Sequence, residues 1–288
     1  MREVVRWAVV CALVVAATVG PADAKWHKPA AGRSASGDPE IVLTFDDGPH
    51  QEYTAQILDE LEARHLQAIF FWVGHRIRAG VSHIDQRMKL IDRAIRAGHL
   101  VGNHTVNHAK LCAVPRRQAE RELDDNAYVY ERLTGLPMRL VRIPYGGYCQ
   151  QVIDLLAERQ LTHLHWDIDP SEWRSHDGEA TAAAIIGRLR HSDGRTVVLL
   201  HDTKPAAVRA LPIVLDWVEA ENARRRKEGG KRPFRILSGA DLALERLQGG
   251  VLAWAADSAA TAHTGLADAI GRVIPGPRPA HPATVSRR

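Results

Sequence analysis

The sequence predicts an α/β fold with parallel strands, on three observations. Seven short runs of apolar, β-branched or aromatic residues, IVLTF, AIFFWV, HLVGN, RLVRI, THLHWDI, TVVLL and FRILS, read as strands. Longer segments of helical period lie between them. The alternation of strand and helix persists along the chain, and strands joined by helical crossovers run parallel, with helices covering the sheet. An open doubly wound sheet and a barrel both satisfy this order.

In chain order, Met1 to Arg6 carries two arginines and precedes the apolar run WAVVCALVVAATVG and the small-residue site Ala22-Asp23-Ala24. This pattern predicts a signal peptide over residues 1–24, cut before Lys25, in a run shorter than the ~20 residues that a spanning helix needs. Cys11 sits in mid-run, not at the end where a lipoprotein would carry it. The expected location is periplasmic or secreted, with no membrane span in the mature protein. Residues 25–39, rich in Gly, Pro, Ser and charge, read as a flexible lead-in. The folded domain is expected over residues 40–245. YTAQILDELEARH places Ile57, Leu58 and Leu61 on one helical face, with acids and Arg64 on the other. RMKLIDRAIRAG repeats the pattern and stops at Gly98. After Ser238 come ADLALERL, an alanine-rich stretch and IPGPRPAHPATVSRR, so residues 246–288 are expected to be a helical extension and a disordered tail.

At 288 residues, 45% hydrophobic and 25% charged, the chain fits one α/β barrel and excludes wholesale disorder. Residues 1–24 carry two basic and two acidic side chains, so the formal charge of +4 is the same without them. The cluster Arg224 to Lys227 with Lys231 and Arg232 reads as a solvated loop after a helix. Export argues against a nucleic-acid partner, and a monomer is the default. The remaining cysteines, Cys112 and Cys149, are free to pair in an exported compartment.

Chemistry-bearing residues follow the strands. Asp46 and Asp47, in TFDDGPH, end a strand just before a Gly-Pro turn, at the carboxyl rim where parallel α/β proteins gather active sites. An ordinary Asp-Gly turn would look similar. His104 and His108 lie four apart, a spacing that would share a face on one helical turn. With Asp47 they make the two-His, one-acid set of a catalytic zinc site. Arg142-Ile143-Pro144-Tyr145-Gly146-Gly147 offers a cation and a turn whose amides suit an oxyanion hole. Two further strand ends carry Trp166 to Trp173, including Glu172, and Leu199-Leu200-His201-Asp202. His201 can serve as a general acid, its ordinary pKa lying near ~6.5, or be a structural histidine bonded to Asp202. His163 and His165 alternate on one strand face, and Phe71 and Trp72 read as core.

Taken in order, TFDDGP, HTVNH, RIPYG, the segment ending Glu172-Trp173, and LLHD resemble the polysaccharide deacetylase family, also called the NodB homology domain or carbohydrate esterase family four. The resemblance covers roughly residues 40 to 245 and implies a distorted (β/α)7 barrel in a single domain. It implies a divalent metal, usually zinc, on Asp47, His104 and His108, although cobalt, nickel or manganese suit the same donors. By the same resemblance Asp46 is the base, Arg142 orients it, and the Tyr145 N–H faces the oxyanion. Trp173 and Leu199 wall the acetyl pocket, and His201 is the acid. The family has Asp where this chain has Glu172, whose extra methylene must still reach His201.

The function so implied is hydrolytic removal of acetyl groups from an N-acetylated polysaccharide of the envelope or matrix, with O-deacetylation as a related activity. Two other readings use the same scaffold: an amidase of small C–N substrates, and a catalytically silent carbohydrate-binding module.

Overall fold

In a computed structural model of the protein, residues 38–78, 84–239 and 241 are described. The expected signal peptide, nearly all of the lead-in and the C-terminal extension therefore lie outside the described residues. All seven strand runs enter one parallel sheet: β1 (Glu40–Asp46), β2 (Ile69–Trp72), β3 (Leu100–Asn103), β4 (Leu140–Val141), β5 (Thr162–His163), β6 (Arg195–His201) and β7 (Arg235–Ile236). Their order is β5-β4-β3-β2-β1-β6, with β7 beside the start of β1.

The ring closes through the segment that follows β5. Leu164 N–H still donates to Val141 on β4, but Asp167 and Ile168 N–H donate to Val197 on β6, and Leu199 N–H donates to Ile168. One stretch of chain thus leaves one sheet edge and joins the other, which curls the sheet into a distorted barrel. This is why THLHWDI, expected as a full strand, keeps only two ladder residues. RLVRI is shortened too, because the chain turns at Pro144, whose ring nitrogen has no N–H for a ladder.

Period-two alternation sorts the side chains. Ile41, Leu43 and Phe45 of β1, Phe70 and Trp72 of β2, and Val198 and Leu200 of β6 face outward into the main core beneath the helices. Val42, Ile69, Phe71, Leu140 and Val197 fill the lumen. Thr44 and Asp46 share the lumen face of β1, and their register partners are Leu199 and His201.

Eight helices wrap the outside: α1 (Tyr53–Ala63), α2 (Gly74–Arg78), α3 (Ile84–Arg96), α4 (Arg116–Thr134), α5 (Gln150–Glu158), α6 (Glu172–Ser175), α7 (Gly178–Leu189) and α8 (Pro205–Glu228), counted among the described residues. Ile57, Leu58 and Leu61 of α1 are buried, as their spacing predicts. The stop after α3 rests on Gly98, whose φ of +82° is unstrained only without a side chain. No helix among the described residues is long and apolar enough to cross a membrane. The basic cluster at the end of α8 is largely engaged within the chain. Arg224 pairs with Glu221 and Glu228, the buried Arg225 pairs with Glu221 and lies over the Phe234 ring, and Arg232 pairs with Asp38.

Candidate metal centre and its surroundings

Strand β1 delivers Asp46 and Asp47 to the carboxyl rim, and the turn that follows is held by a buried carboxylate. Asp202, next to β6, accepts from Thr54 Oγ1 at 2.6 Å and Trp72 Nε1 at 3.0 Å. Burial raises its pKa to about 7 against those hydrogen bonds. A Cβ on Gly48 would overlap this carboxylate, so glycine is required at the turn. Asp202 therefore supports the Asp47 loop and is not the partner of His201.

His104 and His108 do not sit on a helix. The loop that carries them turns through left-handed residues at Thr105 (φ 64°) and His108 (φ 57°), so that the two rings converge with centroids 4.8 Å apart. Their four-residue spacing is met by backbone turning, because side chains of α4 satisfy the loop's polar groups in place of helical bonds. Glu122 accepts from Asn107 N–H and Asn107 Nδ2 at 2.8 and 2.9 Å. Asn126 donates to the carbonyls of Trp72 and Thr105, and Asn103 Oδ1 accepts from Thr105 N–H. Sequence reading did not single out Glu122 or Asn126, and it offered Asp202 only as a partner of His201. The available signal was a carboxylate and an amide four apart on the otherwise apolar inner face of α4.

Asp47 Oδ1, His104 Nε2 and His108 Nε2 converge, with one donor atom from each residue lying within 4.8 Å of the others. His104 Nδ1 is 2.7 Å from the Arg142 carbonyl, which only accepts, so in the neutral ring Nδ1 carries the proton and Nε2 presents a lone pair. That lone pair faces Asp47 Oδ1 at 3.5 Å, and His108 Nε2 faces the same oxygen at 3.2 Å. Asp47 Oδ1 is itself buried with no hydrogen-bond donor. Burial pushes His108 down to about 4, further lowered by His104, so this ring is neutral. Burial alone would raise the Asp47 carboxyl, yet the imidazoles outweigh it and hold it well below the usual carboxylate range. Electron-rich atoms aimed at one point fit a divalent cation with an open position for water.

Around this set the other expected residues gather. Arg142 is fully buried and plugs the lumen. Its Nη1 donates to Asp46 Oδ1 and Thr44 Oγ1, both at 2.7 Å, its Nε donates to the Leu164 carbonyl, and its guanidinium lies over the Phe71 ring. Burial draws its pKa down and Asp46 opposes that shift. Asp46 Oδ2 lies 3.6 Å from His104 Nε2. Across the β1–β6 ladder His201 faces Asp46, and its Nδ1 is 2.8 Å from Glu172 Oε1, which also accepts the His201 N–H at 2.7 Å. The glutamate thus spans the distance that its extra methylene had to cover. Burial would lower His201, but Glu172, Asp46 and Asp47 raise it to about 9.

Tyr145 has φ 60° at the top of its turn; its ring, 63% exposed, packs edge-on against His108. Leu199 is buried on the strand face shared with His201, and Trp173, 44% exposed, follows Glu172 on α6. Asp47, Thr105, His108, Tyr145 and Ser171 are all non-glycine residues at positive φ. Each costs on the order of 1–3 kcal/mol, so backbone strain is concentrated at this site. His163 and His165 share a face, as expected, with Tyr148 hydroxyl bonded to His163.

Cys112, just past the histidine loop, is bonded to Cys149, just past the Tyr145 turn, with Cα atoms 5.9 Å apart. The bridge joins two loops of the site across 37 residues. Chain-entropy arithmetic for such a loop gives about 4 kcal/mol. Reduction is expected to lower the denaturant midpoint and to expose two additional thiols; an unchanged midpoint and thiol count would contradict the bridge.

A family model described as polysaccharide deacetylase matches residues 33–164, the span that carries Asp46, Asp47, His104, His108 and Arg142. The chain is 34% identical over 174 residues to a chitooligosaccharide deacetylase of Sinorhizobium fredii, covering 60% of this chain and 76% of that one. It is 26% identical over 189 residues to a peptidoglycan-N-acetylglucosamine deacetylase of Bacillus cereus, covering 64% and 65%. The fold is similar to that of peptidoglycan deacetylase PdaC from Bacillus subtilis, with a TM-score of 0.59 and 23% identity over 73% of this chain and 93% of the other. With the donor set inside the matched residues and the barrel shared, the chain belongs to the polysaccharide deacetylase family of hydrolases.

Proposed function

We propose that the protein is an exported, metal-dependent deacetylase that removes acetyl groups from an N-acetylated glycan of the envelope or matrix. The observation that carries this reading is the placement of Asp46 and His201 as register partners on two adjacent strands, beside the Asp47, His104 and His108 set. A divalent ion, zinc by family resemblance, would polarise the acetyl carbonyl and acidify water when bound there. The chain's own residues do the rest. Asp46, oriented through Oδ1 by Arg142, takes a proton from the attacking water, whose oxygen bonds to the acetyl carbon. The Tyr145 N–H supports the oxyanion, and losing one such donor typically costs ~10²-fold or more. His201 gives its proton to the sugar nitrogen as the C–N bond breaks, leaving acetate and a free amine. Leu199 and Trp173 border the acetyl methyl.

Relatives named for chitooligosaccharide and peptidoglycan deacetylation support a glycan substrate, and the apolar leader of the sequence supports export. A silent binding module would have no use for the convergent donors and the His201–Glu172 pair. Acetate release should be measured with mature, metal-loaded protein on peptidoglycan, chitooligosaccharides, acetylated exopolysaccharide and xylan. Release from at least one is expected. No release from any of them would refute the deacetylase, and turnover of small amides alone would mark an amidase.

A further inference from the structure

A polar cavity of about 710 Å³ lies beside the candidate metal centre, bounded by the turn after Asp47 and by α2 and α3, and carrying His50, Glu52, His75, Arg76 and Arg87. The size falls within the ~300–1,000 Å³ of ligand sites. Both of its nearer walls are extensions of the metal-binding loops. One begins at Pro49, two residues past Asp47. The other is α2, tied to the histidine loop by Gly74 N–H to Thr105 O at 3.0 Å and His75 N–H to Val106 O at 2.8 Å, and to the turn by Val73 N–H to Gly48 O at 2.9 Å.

Among the described residues the charge in this cavity is unbalanced. Several surface arginines elsewhere are neutralised by carboxylates: Arg64 with Asp216, Arg93 with Glu62, Arg116 with Glu158, Arg159 with Asp124. Here, among the described residues, two guanidinium groups share the walls with one carboxylate, Glu52, which accepts from Gln56. Among the described residues neither Arg76 nor Arg87 is paired with a carboxylate, and Arg87 Nη1 is enclosed with no acceptor. An enclosed, unsatisfied cationic nitrogen is costly, and an anionic oxygen is the group that removes the cost.

Resting on the deacetylase reading, we propose that this cavity is an anion subsite of the substrate groove. It takes a carboxylate borne by a sugar next to the one being deacetylated, or by a peptide attached to that sugar. The preferred substrate is then an acidic N-acetylated glycan rather than a neutral one.

The test uses mature, zinc-loaded protein and four probes: a neutral N-acetylglucosamine hexamer, peptide-free peptidoglycan strands, the same strands with carboxyls reduced to alcohols, and strands with peptides attached. The acidic strands are expected to exceed their reduced form about tenfold in kcat/KM, as one charge-assisted contact provides, with the advantage fading in high salt. Arg87→Gln and Arg76→Gln should each raise KM for acidic strands several-fold and leave the hexamer's rate unchanged. An advantage confined to peptide-bearing strands would assign the carboxylate to the peptide. Equal rates on the reduced, the acidic and the peptide-bearing strands, or equal loss on charged strands and hexamer in the arginine variants, would overturn the subsite. Calorimetric binding of the reduced, acidic and peptide-bearing strands to Asp46→Asn protein separates the two ideas: absence of turnover by the unsubstituted protein on every probe counts against the deacetylase, whereas equal affinity for all three strands counts against the subsite.

Discussion

Asp46→Asn is expected to lower kcat about 10³-fold on the best glycan substrate while metal content stays at the wild-type level, the size of effect that loss of a positioned base produces. The geometry separates the two carboxylates of TFDDGP. Asp47 Oδ1 is the atom at which both imidazole nitrogens converge. Asp46 is turned into the lumen, with Oδ1 held by Arg142 and Oδ2 close to His104. The asparagine carbonyl can still accept from Arg142, so the buried guanidinium keeps its partner and the fold is retained. What is lost is the ability to accept a proton from water. His104→Ala should instead lose metal and activity together. Metal analysis alongside acetate kinetics distinguishes the pair, and near-normal turnover in Asp46→Asn would remove Asp46 as base.

Glu172→Gln is expected to move the alkaline limb of the kcat/KM profile to lower pH by ~1 unit or more, the usual effect of losing one opposite charge at hydrogen-bond distance. Burial alone would depress His201, and Glu172 is the foremost of the groups that lift it to about 9. A group raised in the folded state keeps its proton until pH passes that value. The acid form is therefore present at neutral pH and lost as pH rises through about 9. The same pair contributes stability that is full below the ordinary histidine range and disappears over that alkaline interval. Glutamine can still accept from Nδ1, so the ring stays oriented and the charge alone is tested. Glu172→Asp, which restores the family's residue, should keep the limb near its original position. A limb unmoved by glutamine would assign it to another group.

The sequence was most legible where a regular pattern meets a regular structure. The apolar, β-branched runs IVLTF and TVVLL located both long strands, while the face shared by Asp46 and His201 emerged only from the β1–β6 register. Helical spacing found α1 and its buried Ile57, Leu58 and Leu61. It failed at His104 and His108, whose i, i+4 spacing is as compatible with a left-handed loop as with a helix. The difference is made by Glu122 and Asn126, distant contacts that no local pattern encodes, beside the local turn closed by Asn103. The closing of the barrel through Asp167 and Ile168 was likewise hidden, since one stretch of chain serves two sheet edges. The disulfide was open as a pairing, and the fold brings Cys112 and Cys149 into reach by folding two site loops together. Asp202 was read only as an alternative partner for His201, because its contacts to Thr54 and Trp72 span 148 and 130 residues.

Under the proposed function, Asp47, His104 and His108 hold the ion on which deacetylation depends. The most direct test strips the mature protein of metal with a chelator, confirms by circular dichroism that it stays folded, and titrates zinc back while acetate release is followed. Activity should fall to background in the stripped protein and return linearly to a plateau at one ion per chain, with no recovery in His104→Ala. Full acetate release from protein verified as metal-free would contradict the account.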